Sequence, residues 1–207
     1  MRAFPNTLLT ALLLTATGTA VAASSVDLTV KGLITPSACT PALSDGGKLE
    51  LGKISAKDLK ADDYTVLDDH VMQLTVTCEA ATLMAIEPKD NRAGSEFMNE
   101  PGYFGLGLIN GNEKVGSLSM FLEAVTADGV ASRATDSLDG GLTWVRHSGV
   151  GPDRITSVAD TSTLAPIPVQ LFTADLTMTP IIAPTNGLTL TSEAPVDGSV
   201  TLTVKYL

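Results

Sequence analysis

Near its C-terminus the chain alternates regularly between polar and apolar side chains, over residues 199–206. The apolar positions are Val200, Leu202, Val204 and Tyr206. Side chains repeat with a period of two along a β-strand, so these four share one face and the polar residues share the other. The chain is therefore predicted to end in a strand of a sheet.

A similar pattern lies close to the start of the chain. One face of this second predicted strand carries Val26, Leu28, Val30, Gly32 and Ile34. The residues between them are polar, with the exception of Leu33. Two such strands, one near each end, suggest a protein that pairs end to end with its neighbours.

Residues 1–23 have the three parts of a secretory signal peptide. Arg2 supplies a positive charge, 8–14 form a short apolar core, and the small residues of 20–23 offer a cleavage site. A membrane anchor is the alternative, but the apolar run is well below the roughly 20 residues that a spanning helix needs. We therefore expect export, with the mature chain beginning near Ala23 or Ser24.

The remaining residues, 24–207, are enough for one domain with a single core. Aromatic residues are scarce at 4%, and 18 Gly and 11 Pro divide the sequence into short segments, which is typical of an all-β protein. The net charge of −10 argues against nucleic acid or an anionic membrane surface as the partner. No internal repeat or linker divides these residues, so a single domain is predicted.

The sequence contains two cysteines, Cys39 and Cys78. An even pair in an exported protein predicts a disulfide, which would close a loop of about 40 residues and contribute roughly 4 kcal/mol by restricting the unfolded chain. A metal site is the weaker alternative, because the two histidines, His70 and His147, are poor companions for thiols so far apart. We expect no metal and no cofactor.

Alternating apolar residues predict strands through most of 24–207. In 71–78 the pattern places Cys78 on the interior face. The clearest hairpin joins 104–108 to 118–122 through Asn110 and Gly111, which tolerate positive φ. Further strand candidates are 82–86, 49–54, 142–146, 154–158, 167–172 and 188–191. About nine short strands favour a β-sandwich, and only 56–67 shows a doubtful helical period.

Residues that could support catalysis are few. The sequence has neither the G-x-S-x-G pattern of a nucleophile elbow nor the H-E-x-x-H pattern of a zinc hydrolase. His147, followed by Ser and Gly, fits a polar loop better than an active site. The aspartates of 58–69 lack the spacing of a calcium loop and are expected to form a solvated connection. We therefore predict that the protein is not an enzyme.

Two aromatic residues leave a binding function open. Trp144 and Tyr103 could stack on a sugar ring if their faces are exposed. A secreted monomeric β-sandwich that binds carbohydrate or another surface ligand is therefore the alternative function. The simpler interpretation of Trp144 is a core residue.

The segment 26–40 resembles the N-terminal donor segment of chaperone–usher pilus subunits. In that family an alternating strand with a central glycine precedes the first cysteine of a disulfide, and a tyrosine stands next to last in the chain. These features match Gly32, Cys39, Cys78 and Tyr206. The chain is also similar to a group of exported fimbrial-like proteins catalogued as a domain of unknown function.

The resemblance implies an immunoglobulin-like sandwich of the pilin type that lacks its last strand. A groove would then lie beside the C-terminal strand, whose apolar face would bind a chaperone or a neighbouring subunit. Residues 24–34 would be the donor strand that fills the groove of the next subunit. Ordinary pairing of this strand within its own domain is the structural alternative.

The function implied is that of a structural or adhesive subunit of a fimbria-like surface fibre. Its partners would be like or related pilus subunits, a periplasmic chaperone and an outer-membrane usher, with a host or surface receptor as a further candidate. The protein would pass through the periplasm during assembly and then reside at the cell surface. One departure is Ala194, which stands where many pilins carry glycine, with Gly198 nearer the end.

Overall fold

The computed structural model describes Thr29 and residues 38–207. The chain divides into two compact units, Met1–Ile34 and Thr35–Leu207, and the description below concerns the second. The predicted signal peptide lies outside the described residues, so it stays a prediction. The same holds for the predicted donor-strand residues Val26, Leu28, Val30, Gly32 and Ile34.

Within the described residues the chain is all-β, as predicted, with fourteen strands and three short 3-10 turns. The longer strands are β1 Cys39–Leu43, β3 His70–Thr82, β4 Met84–Asp90, β8 Gly116–Ala127, β10 Arg133–Ser137, β12 Ile155–Ala159, β13 Val169–Ile182 and β14 Val200–Tyr206. The two-residue strands are β2 Thr65–Val66, β5 Phe104–Gly105, β6 Leu108–Ile109, β7 Glu113–Lys114, β9 Val130–Ala131 and β11 Gly149–Val150. The 3-10 turns are Ser44–Gly47, Ala56–Asp58 and Thr185–Gly187. The doubtful helix at 56–67 is therefore limited to one short turn.

Two antiparallel sheets contain all the longer strands. Sheet A has the order β1-β3-β13-β8, and the outer edge of β8 pairs with three two-residue strands, β5, β11 and β9. Sheet B has the order β10-β12-β4-β14. β2 pairs with the end of β13, and β6 and β7 form a separate hairpin.

The hydrophobic core lies between the two sheets. Alternation along β3 buries Leu74 and Val76 of sheet A, and sheet B contributes Ile86 and Val158. These four side chains are 1% exposed or less and belong to one apolar cluster. Two antiparallel sheets that bury their facing sides in this way form a β-sandwich, which confirms the predicted fold class.

The strand order is that of an immunoglobulin-like sandwich. In that fold strands A, B, E and D form one sheet, and strands C, F and G form the other. Here β1, β3, β13 and β8 occupy positions A, B, E and D, whereas β4 and β14 occupy C and F. In residues 38–207 no strand occupies position G, beside β14. The sandwich is therefore one strand short at this edge of the described structure.

The predicted hairpin at Asn110 and Gly111 forms, but its pairing is interrupted. The two residues adopt positive φ angles of 50° and 91° and connect β6 to β7. Pairing then continues between β5 and β8, where Phe104 lies opposite Leu118.

Three of the weaker strand predictions are wrong. Residues 49–54 and 188–191 run outside the sheets, and Leu49 and Leu188 pack against the core without strand pairing. Residues 142–146 form a loop that joins sheet B only through a bridge from Val145. A short apolar run does not distinguish a strand from a segment that covers a core, because both bury side chains.

The disulfide prediction is confirmed. Cys39 in β1 lies directly opposite Cys78 in β3, and their sulfur atoms are 2.01 Å apart. The bond ties the edge strand of sheet A to the strand beside it. Because disulfides persist in oxidising compartments, it indicates an exported protein.

Candidate functional site: a groove beside the C-terminal strand

A groove of about 650 Å³ opens between β14 of sheet B and the inner face of sheet A. We call its buried apolar base the groove floor, which consists of Met72, Leu106, Leu118, Met120, Leu176 and Met178. Two segments outside the strands, 49–54 and 193–199, form the rims. The groove lies where the immunoglobulin-like order leaves position G without a strand.

The wall formed by β14 presents aliphatic side chains that are only half-buried. Val200, Leu202 and Val204 pack against the core cluster but remain partly accessible. By contrast, Leu74 on the equivalent inner face of β3 is 1% exposed. These three β14 residues share one face, as predicted, and this face is incompletely covered.

The backbone of β14 also has one unpaired side. The Ser199 carbonyl accepts from the Asn91 amide and the Leu207 amide donates to the Leu83 carbonyl, so odd-numbered residues direct their backbone groups toward β4. In an antiparallel ladder the alternate residues direct theirs away. The amides and carbonyls of Val200, Leu202 and Val204 therefore point to the outer edge, where no strand of the described residues pairs with them. Such an edge is a template for another strand.

Proline 88 of β4 fits this alternation. Pro88 lies opposite Leu202, at a position where the ladder makes no hydrogen bond between β4 and β14. The missing amide hydrogen of Pro88 therefore costs β14 no hydrogen bond. The sequence can keep a proline inside this sheet without weakening its attachment to the edge strand.

The outer edge of β1 is the second unpaired edge beside β14, and Leu43 at its end lines the groove. The Ala38 carbonyl accepts from the Glu79 amide. By the same alternation, the backbone groups of Cys39, Pro41 and Leu43 point away from β3. Pro41 contributes no donor to this edge, which is a common way to limit unwanted strand pairing. The two facing edges therefore differ, because β14 offers donors and acceptors and β1 offers fewer donors.

A hydrogen bond from the Cys39 amide to the Tyr206 hydroxyl, 3.0 Å long, links the two edges. The Tyr206 side chain thereby connects β14 to β1, beyond the residues that line the groove. Tyr206 was predicted as part of the binding face, and the structure gives it this additional bridging contact. The disulfide to Cys78 holds Cys39, whose amide is the donor of this hydrogen bond, against β3.

The rims meet at an exposed ion pair. Lys53 Nζ lies 2.7 Å from Glu193 Oε1, and both side chains are 88% exposed. An exposed pair of this kind contributes about 0 to 1 kcal/mol, so it is a weak contact between the two rim segments.

The groove floor was not predicted from the sequence. Its residues come from β3, β8 and β13 and from the segment after β5, which are far apart along the chain. Three of the six methionines in the sequence, Met72, Met120 and Met178, line it. Methionine is flexible and polarisable, and it is frequent on surfaces that accept more than one apolar partner. This enrichment is the one sequence signal that could have indicated the floor.

The residues of the alternative binding site lie elsewhere. Trp144 is half-buried in the loop after β10 and donates its indole N–H to the Gly141 carbonyl, 3.1 Å away. Tyr103 is half-buried just before β5. Within the described part of the chain the two rings do not contact each other, and neither lines the groove.

His147 is paired with a buried aspartate, a contact that was not predicted from the sequence. Its Nδ1 lies 2.7 Å from Asp136 Oδ2, and Arg154 Nη1 lies 3.5 Å from the same oxygen. Asp136 is 1% exposed, its Oδ1 has no hydrogen-bond partner, and burial raises its pKa despite the lowering effect of His147. None of these three residues lines the groove.

The acidic connection 58–69 is partly attached to the sandwich. Asp62 accepts from the Asn186 side chain, and Asp69 accepts from the Thr179 hydroxyl. Across the described ranges, no three His, Cys, Asp or Glu side chains are grouped so that they could hold a metal ion. None of the helical segments described is long and apolar enough to cross a membrane.

Comparison with known proteins relates the chain to proteins without a stated activity. A family model described as "Protein of unknown function (DUF1120)" matches residues 28–103. Uncharacterized protein YhcF of Escherichia coli (strain K12) is 32% identical over 126 residues, which cover 51% of this chain and 53% of YhcF. Protein GltF of the same strain is 27% identical over an alignment of 232 positions, which covers 91% of each chain. The chain thus spans about half the length of YhcF and most of GltF.

The predicted similarity to a family of unknown function is therefore confirmed for part of the chain. The matched residues include β1 and β3, which the disulfide joins, and β4, which pairs with β14. The resemblance to chaperone–usher pilus subunits stays a prediction.

Proposed function

We propose that this protein is a subunit of a fimbria-like surface fibre, which assembles when the groove accepts a β-strand from another chain. The observation that carries the proposal is the coincidence of two deficits at β14. Its outer backbone groups are unpaired in the described structure, and its inward side chains Val200, Leu202 and Val204 are incompletely covered. One added strand would satisfy both, since it supplies hydrogen bonds along the edge and side chains toward the floor.

The segment 24–34 of a second copy has the pattern that such a strand needs. Leu28, Val30 and Ile34 would face the floor, and removing three aliphatic side chains from water contributes roughly 5 to 9 kcal/mol before ordering costs. A slip by one residue would instead direct Asp27, Thr29 and Lys31 toward the floor. The alternation therefore excludes every register that is shifted by an odd number of residues. Gly32 allows close approach of the two backbones where the groove is shallow.

The proposal assigns the protein a structural or adhesive role, with no catalysis. Its partners are like or related subunits, a periplasmic chaperone that covers the groove before assembly, and an outer-membrane usher. It resides in the periplasm during assembly and at the cell surface afterwards. A surface receptor is a further partner if the subunit is adhesive.

A small-molecule site is the competing use of the groove. A volume of about 650 Å³ falls within the range of ligand pockets, so volume does not distinguish the two uses. The row of outward amides and carbonyls on β14 favours a strand, because a strand pairs with all of them at regular spacing. The two aromatic residues suggested for carbohydrate binding do not line this groove.

The test measures hydrogen exchange of the mature protein with an added peptide of residues 24–34. Binding should slow exchange at the amides of Val200, Leu202 and Val204 and raise the melting temperature. A control peptide exchanges Leu28 with Thr29 and Val30 with Lys31, which keeps composition but shifts the apolar face. Equal protection by both peptides, or protection by neither, would contradict the proposal.

A further inference from the structure

A loop fastened by hydrogen bonds displays aliphatic side chains to solvent. In this loop, 138–145, Leu138 is 65% exposed, Leu142 is 85% exposed and Val145 is 52% exposed. The loop is held by Asp139, whose carboxylate accepts from the Ser137 and Thr143 hydroxyls and from the amides of Leu142 and Thr143. Single exposed aliphatic residues are ordinary, but three in one fixed loop form a surface that water solvates poorly.

The loop lies at the end of the sandwich where the described chain begins. A Cβ placed on Gly141 would be 3.7 Å from Leu207 Cδ2, so this part of the loop lies close to Leu207. Leu207 follows Tyr206, whose hydroxyl accepts from the Cys39 amide. The first described residues of the sandwich therefore lie at the same end of it as Gly141.

The number of residues between Ile34 and Cys39 limits the distance between Cys39 of one copy and the groove of a second copy. Five residue steps separate Ile34 from Cys39, and at about 3.4 Å per step they span at most roughly 17 Å. If Ile34 lies in the groove of a second copy, Cys39 of the first copy is held within that distance of the groove. The loop 138–145 is then brought up to the surface of the same neighbour.

We infer that loop 138–145 docks on a second copy of this chain, the one whose groove holds the 24–34 segment of the first. This inference rests on the proposed function. Strand G of an immunoglobulin-like fold runs antiparallel to strand F, so the donor would leave the groove near Val200. The receiving surface is accordingly the rim 193–199, where Val196 is 36% exposed and Pro195 is also apolar.

The test compares two measurements on the full mature chain. One is the dissociation rate of a complex between two subunits, and the other is the affinity for the free 24–34 peptide. The double substitution Leu138→Ser and Leu142→Ser should speed dissociation of the subunit pair about tenfold and leave peptide affinity unchanged. The peptide lacks the loop, so it reports on the groove alone.

Val130→Ser is the matched control, because Val130 is an equally exposed aliphatic residue at 68% and lies in β9 at the far edge of sheet A. It should change neither measurement. The docking inference is overturned if the double variant dissociates at the same rate as the control while the peptide still binds. Failure of the peptide to bind the unsubstituted protein would overturn the proposed function and the inference together.

Discussion

The two lateral edges of the sandwich are finished in different ways. At one side the outer edge of β8 is paired with β5, β11 and β9, and the outer edge of β10 exchanges two hydrogen bonds between Asp136 and Val145, each 2.9 Å long. At the other side, in residues 38–207, β14 and β1 face each other without a strand between them. We call these the closed edge and the open edge.

The closed edge shows that this fold can cover a strand with very short pieces of chain. Two residues from each of three separate segments are enough along β8. Native proteins generally protect their edges, because an exposed ladder pairs with other chains. In residues 38–207 the other edge has no such cover, which supports a use for the unpaired side of β14.

The largest effect is expected from Phe104→Ala at the closed edge. Phe104 is 0% exposed and pairs through β5 with β8, so its removal should lower the free energy of unfolding by about 3 to 5 kcal/mol. Chemical denaturation followed by circular dichroism measures this loss. Val130→Ser at the same edge serves as the control and should change stability by less than about 0.5 kcal/mol.

The disulfide is the next test, because it anchors the open edge. Replacing Cys39 and Cys78 by serine should lower the free energy of unfolding by about 2 to 4 kcal/mol. The sequence has no other cysteine, so reduction of the unsubstituted protein should give a similar loss. An unchanged midpoint after complete reduction would mean that β1 is held at this edge by other contacts.

A smaller effect is expected from Leu202→Ala at the open edge. Leu202 is half-buried, so its truncation should cost about 1 kcal/mol in the isolated protein, well below the loss for Phe104→Ala. The cost should increase when the 24–34 peptide is bound, since the side chain is then covered. Thr203→Ala, on the exposed face of β14, is the control. Equal losses for Leu202→Ala and Phe104→Ala would remove the distinction between the edges.

The smallest effect is expected from the pH dependence of Asp136 at the closed edge. Burial raises its pKa above the unfolded value, so its contribution to stability is present at low pH and is lost as pH rises through the folded pKa. Asp136→Asn should therefore gain stability relative to the unsubstituted protein as pH rises from about 4 to 7. Denaturation at a series of pH values measures the difference.

Asp160→Asn provides a control of opposite sign. Hydrogen bonds from Ser162 lower the pKa of Asp160 to about 2, so its contribution is present above the unfolded pKa and is lost as pH falls toward the folded one. Relative to the unsubstituted protein, this variant should therefore lose stability as pH rises from about 2 to 5. If both variants lost stability relative to the unsubstituted protein as pH rises, burial would not raise the pKa of Asp136 in the folded protein.

Much of the fold could be predicted because the long strands leave a period of two in the sequence. The alternation around Cys78 placed it inside, and the alternation of 199–206 identified β14. The two-residue strands could not be predicted, because two residues carry no period and their pairing depends on the strand that they meet. β13 was predicted only in part, since it continues through Pro180 to Ile182 where the apolar pattern of 167–172 is no longer clear.

The candidate site was predictable only along its strand. Val200, Leu202 and Val204 were identified from their shared face, whereas the floor is assembled from residues of distant strands. The rim 49–54 was mistaken for a strand because Leu49 and Leu51 are half-buried, and nothing local shows that they cover a groove. The partner of His147 was missed because Asp136 lies in a different segment and meets it only after folding.

The bond between Tyr206 and Cys39 joins the two strands of the open edge at the end of β14 that lies farthest from Val200. A strand that pairs with β14 and shifts toward this end would meet the Tyr206 side chain where it crosses to β1. Because backbone hydrogen bonds alone are indifferent to shifts of two residues, this contact can set the depth of insertion that side-chain alternation leaves undetermined.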